Sequence, residues 1–440
     1  MVATVESGGP GAAGGGASTG VGQSGKTVLT TADGTPLKAS LARANRRAKL
    51  GALFLVMPLF LFLLISFIIP IADMATRSVA NTEVMENLPR TVAALEDWDR
   101  QEVPGEEAFA ALAEDLREGR ENRTIGKVAT RLNYELSGMR SNIMGTARRI
   151  DRVELGDGGW KAALLDIEEE WGDLEVWQTI DRMSSPVTAS YYLNAVDLRV
   201  NAEGEVVQQP DYQQIYVQLF WRTVWMSALI TFMTLLLGYP IAYLMATLPM
   251  RVSNLLMILV LLPFWTSLLV RTTSWIVLLQ TQGVLNDILV LFGLVSDDAR
   301  LQMIYNQIGT IVAMTHILLP FMVLPLYSVM KTIPPSYLRA ARSLGANPVT
   351  AYWRVYVPQT IPGIGAGGVL VFILAIGYYI TPALVGGQSG QLISNMIAYH
   401  MQQSLNWGLA AALGTILLAA VLVLYWLYNK LIGIDNMKLG

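Results

Sequence analysis

The chain of 440 residues contains no cysteine, two histidines and few charges, with 15% Asp, Glu, Lys and Arg where a soluble domain carries about 25%. Without cysteine there are no disulfides and no thiolate metal sites. His316 and His400 lie far apart in sequence, so a histidine metal centre has no support, and no metal ligands are expected. No pattern of nucleophile, base and orienting residue stands out, so no catalytic residues are expected either. What is abundant is apolar: 53% of the residues are hydrophobic.

Those residues are gathered into long runs. A helix needs ~20 mostly apolar residues to cross a hydrocarbon core of ~30 Å. Six runs qualify: 50–71, 223–244, 255–279, 308–330, 363–384 and 407–431. A further stretch, 284–295, is too short and carries Asp287, so it reads as an interfacial or re-entrant helix. The fold class expected is an all-α polytopic membrane protein with six transmembrane helices. Arg43, Arg46, Arg47 and Lys49 precede the first run, and Lys430 and Lys438 follow the last. By the positive-inside rule both termini are cytoplasmic. A cleaved signal peptide is the competing reading of the first run, but the run exceeds the ~7–15 residues of such a segment and no small-x-small cleavage site follows.

The remaining segments differ in kind. Residues 1–42 form a Gly/Ala/Ser/Thr tail that cannot bury enough surface to order, and disorder is expected there. Residues 43–72 hold the first span. Residues 73–216 are a polar insert with 28 acidic and 15 basic residues, a net −13, expected outside the cytoplasm. Three stretches in it have helical periodicity: 106–119, ended by Gly119; 123–153, with Ile125, Val128, Leu132, Leu136 and Met139 on one face; and 159–183. The acidic run Glu168–Glu170 reads as a solvated face. The insert is either a decoration that packs on itself or a surface for a partner or solute. Residues 217–433 hold the other five spans.

One polar stretch between spans is not a simple loop. In PPSYLRAARSLGANPVTAYWRVYVPQTIPGI, Pro334 and Pro335 open a helix that Gly345 ends, and Asn347–Pro348 start a second that Pro358 breaks. Small residues at 340, 341 and 345 let another protein's backbone approach. The segment resembles the EAA loop of binding-protein-dependent ABC importer permeases, with Ala340, Ala341, Gly345, Val355, Val357 and Pro358 in place and Arg339 where the family usually has Glu. The stretches at 261–287, 317–328 and 390–412 are similar to permeases of spermidine/putrescine importers. The likeness covers residues 215–432 and leaves out the tail and the insert.

That resemblance implies a type I importer permease fold with coupling helices at 334–358 and no enzymatic activity of its own. The coupling residues it implies are Arg339, Ala340, Ala341, Arg342, Gly345 and Pro358. It implies as partners two ABC ATPase subunits, which would hold ATP and Mg²⁺, a second permease and a periplasmic binding protein; nucleic acid is not among them. The setting is a bacterial inner membrane. For a small organic cation, candidate path residues are the aromatics Trp265, Trp275, Tyr378 and Tyr379, with Asp287 as an acid at the entrance. Each aromatic reads equally as an interfacial anchor or a packed side chain. Arg271 reads as snorkelling or paired, and His316 as a packed, hydrogen-bonded residue. Opine, amino-acid-derivative and iron importers have similar permeases, so these solutes stay open. An enzyme or sensor reading rests on GVGQSGKT at 20–27, which fits the phosphate-loop pattern with Lys26 and Thr27 in the ligand positions. Its flanks lack the preceding strand and following helix that such a loop needs.

Overall fold

The computed structural model describes residues 19–21, 27–29, 37–201 and 204–432. Among them, six helices are long and apolar enough to cross a membrane: Lys49–Arg77, Tyr216–Thr247, Leu268–Leu291, Gln307–Thr332, Pro348–Gly377 and Trp407–Lys430, here the first to sixth spans. Two compact bodies are found, residues 1–74 and 75–440.

In the first body, Thr19–Val21 and Thr27–Leu29 pair as an antiparallel ribbon. These residues were expected to lack structure, and a strand now stands where a phosphate loop would need a helix. Lys26 lies outside the described residues, as does Lys438 near the C-terminus. The helix Leu37–Leu63 then carries the first span, and its apolar window is wholly exposed, as a lipid-facing span requires.

The insert, in the second body, builds its own core. Phe109, Leu112, Leu116, Val128, Leu132, Ile143, Trp171 and Trp177 are fully or almost fully buried. Several of its buried polar groups pair with one another: Trp171 Nε1 donates to Thr146 Oγ1 at 2.8 Å, and Asp115 accepts from the Thr91 amide and hydroxyl, both at 2.8 Å. The helices are shorter than periodicity predicts. The stretch 123–153 breaks into Ile125–Glu135 and Met139–Arg149, because Gly138 takes a φ of +98° that a continuing helix cannot use. Gly119 does not stop its helix, which runs to Glu121. The stretch 159–183 divides at Glu169–Gly172. Glu168 is not on a free face; it pairs with Arg149 at 3.4 Å.

The insert is bonded to the spans rather than tethered. The Asp197 carboxylate accepts from the amides of Ile215, Tyr216 and Val217 at 3.1, 2.9 and 2.8 Å, closing the start of the second span. Tyr134 donates to the Ser404 carbonyl at 2.9 Å; Tyr216 and Ser404 bracket His400, at 2.9 Å from Nε2 and 2.8 Å from Nδ1.

The second, fourth and fifth spans form the membrane core around Met226, Ile230, Met314, Leu318, Met322 and Leu326. They touch through glycine. A Cβ at Gly367 would fall 2.8 Å from Met322 Sδ, and one at Gly363 3.2 Å from Leu326 Cα, so larger residues would push the fifth span off the fourth. The third and fifth spans are not where apolar runs place them. The expected run 255–279 is interrupted: Met250–Leu261 ends in a tight turn at Leu262–Trp265, and Ser267 restarts the chain by accepting from the Val270 amide at 3.2 Å. Pro263 lacks the N–H that a continuous helix would use there. The segment expected as interfacial, Val284–Leu291, then completes the third span. The fifth span begins at Pro348, ahead of the expected 363, and ends at Gly377. Pro358 does not break it; the helix widens to a π turn over Tyr352–Tyr356, and Gln359 Nε2 donates to the Val355 carbonyl at 2.7 Å.

Burial with no acid beside it pushes the His400 imidazole down to about 4. It therefore stays uncharged in the folded chain, while the unfolded imidazole gains a proton near 6.5. The stability it contributes is full above pH ~6.5 and is lost as pH falls toward 4, up to about 3 kcal/mol. The expected outcome is that His400→Gln lowers the thermal midpoint at pH 7.5 but loses less on acidification to pH 4.5 than the parent, as thermal scans of the detergent-solubilised chain would read.

Candidate functional site

Two places in the second body combine exposed or polar groups with unusual backbone. The first is a platform made by Pro335–Ser343 and the start of the fifth span. Proline opens the helix, and its end is a glycine turn: Gly345 (φ +88°) donates to the Arg342 carbonyl at 3.0 Å and Ala346 to that of Ala341 at 3.1 Å. Asn347 Oδ1 then accepts from the Thr350 amide at 2.7 Å, and Pro348 starts the next helix. This is the two-helix turn that the residue pattern predicts.

No residue of Pro335–Ser343 is buried, and the apolar Leu344 is 88% exposed, with Val349 and Trp353 exposed nearby. Arg339, Ala340, Arg342, Gly345 and Pro358 are all exposed and Ala341 half-buried; the three arginines at 339, 342 and 354 make no ion pair among the described residues. An apolar surface ringed by free cations suits a partner with an apolar groove and acidic rim. Behind it, Tyr352 and Tyr356 stack at 5.5 Å and both meet Tyr243 of the second span edge-on, at 5.5 and 5.4 Å. The block they form with Tyr243 joins residues over a hundred positions apart, which no local pattern reveals.

The second place is a break in helix. The fifth span stops at Tyr378 and Tyr379, and a short helix, Ile380–Val385, follows. Carbonyls at the break accept from side chains of one neighbouring helix, Ile393–Gln402: Ser394 Oγ donates to Tyr378 O at 2.7 Å, and Asn395 Nδ2 donates at 2.8 Å to Tyr379 O, which also accepts from the Ala383 amide at 3.0 Å. Neither Ser394 nor Asn395 stood out in the sequence. The third span comes alongside, with Thr272 Oγ1 3.3 Å from Thr381 Oγ1.

The candidate path residues divide here. Trp275 donates to His316 Nδ1 at 3.1 Å, with the rings edge-on at 5.3 Å. Arg271 lies one turn before Trp275 on the third span, and Tyr378 stands at the break that ends the fifth. Tyr379 is 39% exposed at the break. Trp265 is 87% exposed in the turn before the third span. Asp287 is not a free acid: Arg300 holds it at 2.7 Å and Asp297 at 2.7 Å. His316 is hydrogen-bonded as expected, whereas among the described residues Arg271 has no ion pair and its Nε is buried without a hydrogen-bond partner.

Among the described residues there is no group of three or more His, Asp or Glu that could hold a metal ion. The arrangement provides an exposed platform at one end of the fifth span and a break in helix at the other.

Comparison with known proteins agrees. Residues 236–432 match the family described as binding-protein-dependent transport system inner membrane component. The spermidine/putrescine transport system permease protein PotB of Haemophilus influenzae is 38% identical over 225 residues, 50% of this chain and 78% of that protein. PotB of Escherichia coli is 35% identical over 222 residues, 50% of this chain and 80% of that protein. Among solved structures, a bacterial ABC transporter involved in the import of the acidic polysaccharide alginate aligns with a TM-score of 0.42 and 15% identity, over 74% of this chain and 99% of that one. The matched residues run from the second span through the platform and the break to the sixth span, and the chain belongs to the binding-protein-dependent transport system inner membrane components.

Proposed function

We propose that the chain is the membrane-spanning permease of an ATP-driven importer that passes a small organic cation of the putrescine and spermidine class into the cytoplasm. The observation that carries the solute class is the 38% identity, across the membrane core, to a protein named as a spermidine/putrescine permease. The paucity of acids in the spans and the platform of free arginines support transport coupled to a partner over an enzymatic role for this chain.

In this reading the platform and both termini face the cytoplasm, as the basic residues flanking the first and sixth spans favour, and residues 73–216 face the periplasm. Two ATPase subunits carry the ATP and Mg²⁺, one gripping Leu344, Arg339 and Arg342 here and the other an equivalent platform on a second permease. A periplasmic binding protein delivers the solute. Closure of the ATPases pushes the platform, and the stacked tyrosines pass that push to the second span, so that the spans rock as a unit.

Cells lacking the chain are expected to lose uptake of radiolabelled putrescine and regain it when the chain returns; unchanged uptake would overturn the solute class. Leu344 is almost wholly exposed, so Leu344→Asp is expected to leave the amount of chain in the membrane within about twofold while reducing co-purified ATPase and uptake by about tenfold. Normal ATPase recovery with that variant would contradict the role given to the platform.

A further inference from the structure

The insert and the break at Tyr378 meet opposite ends of one short helix, Ile393–Gln402, whose ten residues span ~15 Å. At its first end, Ser394 Oγ and Asn395 Nδ2 donate to the Tyr378 and Tyr379 carbonyls at 2.7 and 2.8 Å. At its last end, His400 Nδ1 lies 2.8 Å from Ser404 Oγ. The Ser404 carbonyl accepts from the hydroxyl of Tyr134, an insert residue, at 2.9 Å.

The insert also forms part of the seat under this helix. Ile393 is fully buried in one apolar cluster with Tyr191 and Ala195 of the insert and Leu409 and Leu413 of the sixth span. Met396 and Ile397 pack against the same cluster. Positions 393, 396, 397 and 400 share one helical face, so that face is seated along most of its length. Tyr191 is wedged in place. A Cβ at Gly408 would run into its ring, and the Arg131 guanidinium lies 4.7 Å from the ring centroid. Arg131 is itself almost fully buried and donates to Asn81 Oδ1 at 2.7 Å and Glu135 Oε1 at 2.8 Å. Arg131 and Tyr134 come from one insert helix, Ile125–Glu135. That helix therefore touches the seat through Tyr191 and the far end of Ile393–Gln402 through Ser404. Close-packed contacts pass a displacement on instead of absorbing it.

We infer that the insert positions the break. Tyr134 and Tyr191 act through the helix Ile393–Gln402 and set how firmly the Tyr378 and Tyr379 carbonyls are held. Both are positioning residues. The inference rests on the permease reading for its consequence, control of solute passage beside the break, and not on which solute passes.

The test uses the full chain in membranes with its partner subunits co-expressed. The chain has no cysteine, so Tyr379→Cys gives it a single thiol at a half-exposed position of the break. The rate at which a water-soluble maleimide modifies that thiol, read on the separated chain, reports the state of the break. Tyr134→Phe removes one hydrogen bond and is expected to change the rate about fivefold. Gly408→Ala, which forces the Tyr191 ring to move, is expected to change it as much. Ser394→Ala combined with Asn395→Ala cuts the helix from the break, and in that background Tyr134→Phe is expected to change the rate less than twofold. A rate within twofold of the parent in either single variant would overturn the inference. An undiminished effect of Tyr134→Phe in the cut background would overturn it too. Putrescine uptake is measured on the same membranes: a parent that imports none would sink the solute class, while the labelling rates judge the positioning separately.

Discussion

Inside a bilayer there is no water to rescue an unpaired amide, so each place where a span bends or stops must find its hydrogen bonds within the protein. That requirement accounts for a set of specific contacts in the membrane part of this chain. Where the fifth span breaks, Ser394 and Asn395 donate to the Tyr378 and Tyr379 carbonyls. Where Pro358 cannot donate, the helix widens and Gln359 reaches the Val355 carbonyl. Where the second span begins, one carboxylate, Asp197, accepts from three successive amides. Irregular backbone is thus held by named side chains at both ends of the fifth span and at the start of the second.

Close packing then makes these regions act together. Gly363 and Gly367 let the fifth span lie directly on the fourth, and Tyr243, Tyr352 and Tyr356 lock its platform end to the second span. In the proposed importer a push on the platform moves the break at Tyr378 without deforming the helix between them. The insert joins the same body through Asp197, Tyr134 and the bracketed His400, so it would ride with the second span rather than swing from it.

Much of this was legible in the sequence, for physical reasons. Span number follows from apolar length, and the platform turn follows from proline, glycine and asparagine, whose backbone preferences are local. The span ends were not legible, because hydropathy does not see a helix break that protein partners satisfy: the run 255–279 is apolar throughout yet divides at Pro263, and Pro358 reads as a stop yet is absorbed in a π turn. Site residues followed the same divide. Trp275 and Tyr378 were visible as aromatics in spans, but that Trp275 bonds to His316 shows only once the third and fourth spans are brought together. Asp287 looked like a lone acid because its partner, Arg300, belongs to a loop whose path the sequence does not reveal.

In the proposed importer the platform and the break move as one rigid body. The chain has no cysteine, so spin labels can be placed on cysteines introduced at Ser343 and Tyr379 alone. Pulsed electron resonance on the complete transporter would read the distance between them at rest and with the ATPases trapped in the ATP-bound state. The expected result is a distance constant to within ~2 Å, while either label moves relative to one on the second permease. A change within this chain of ~5 Å or more, about one helical turn, would contradict the account.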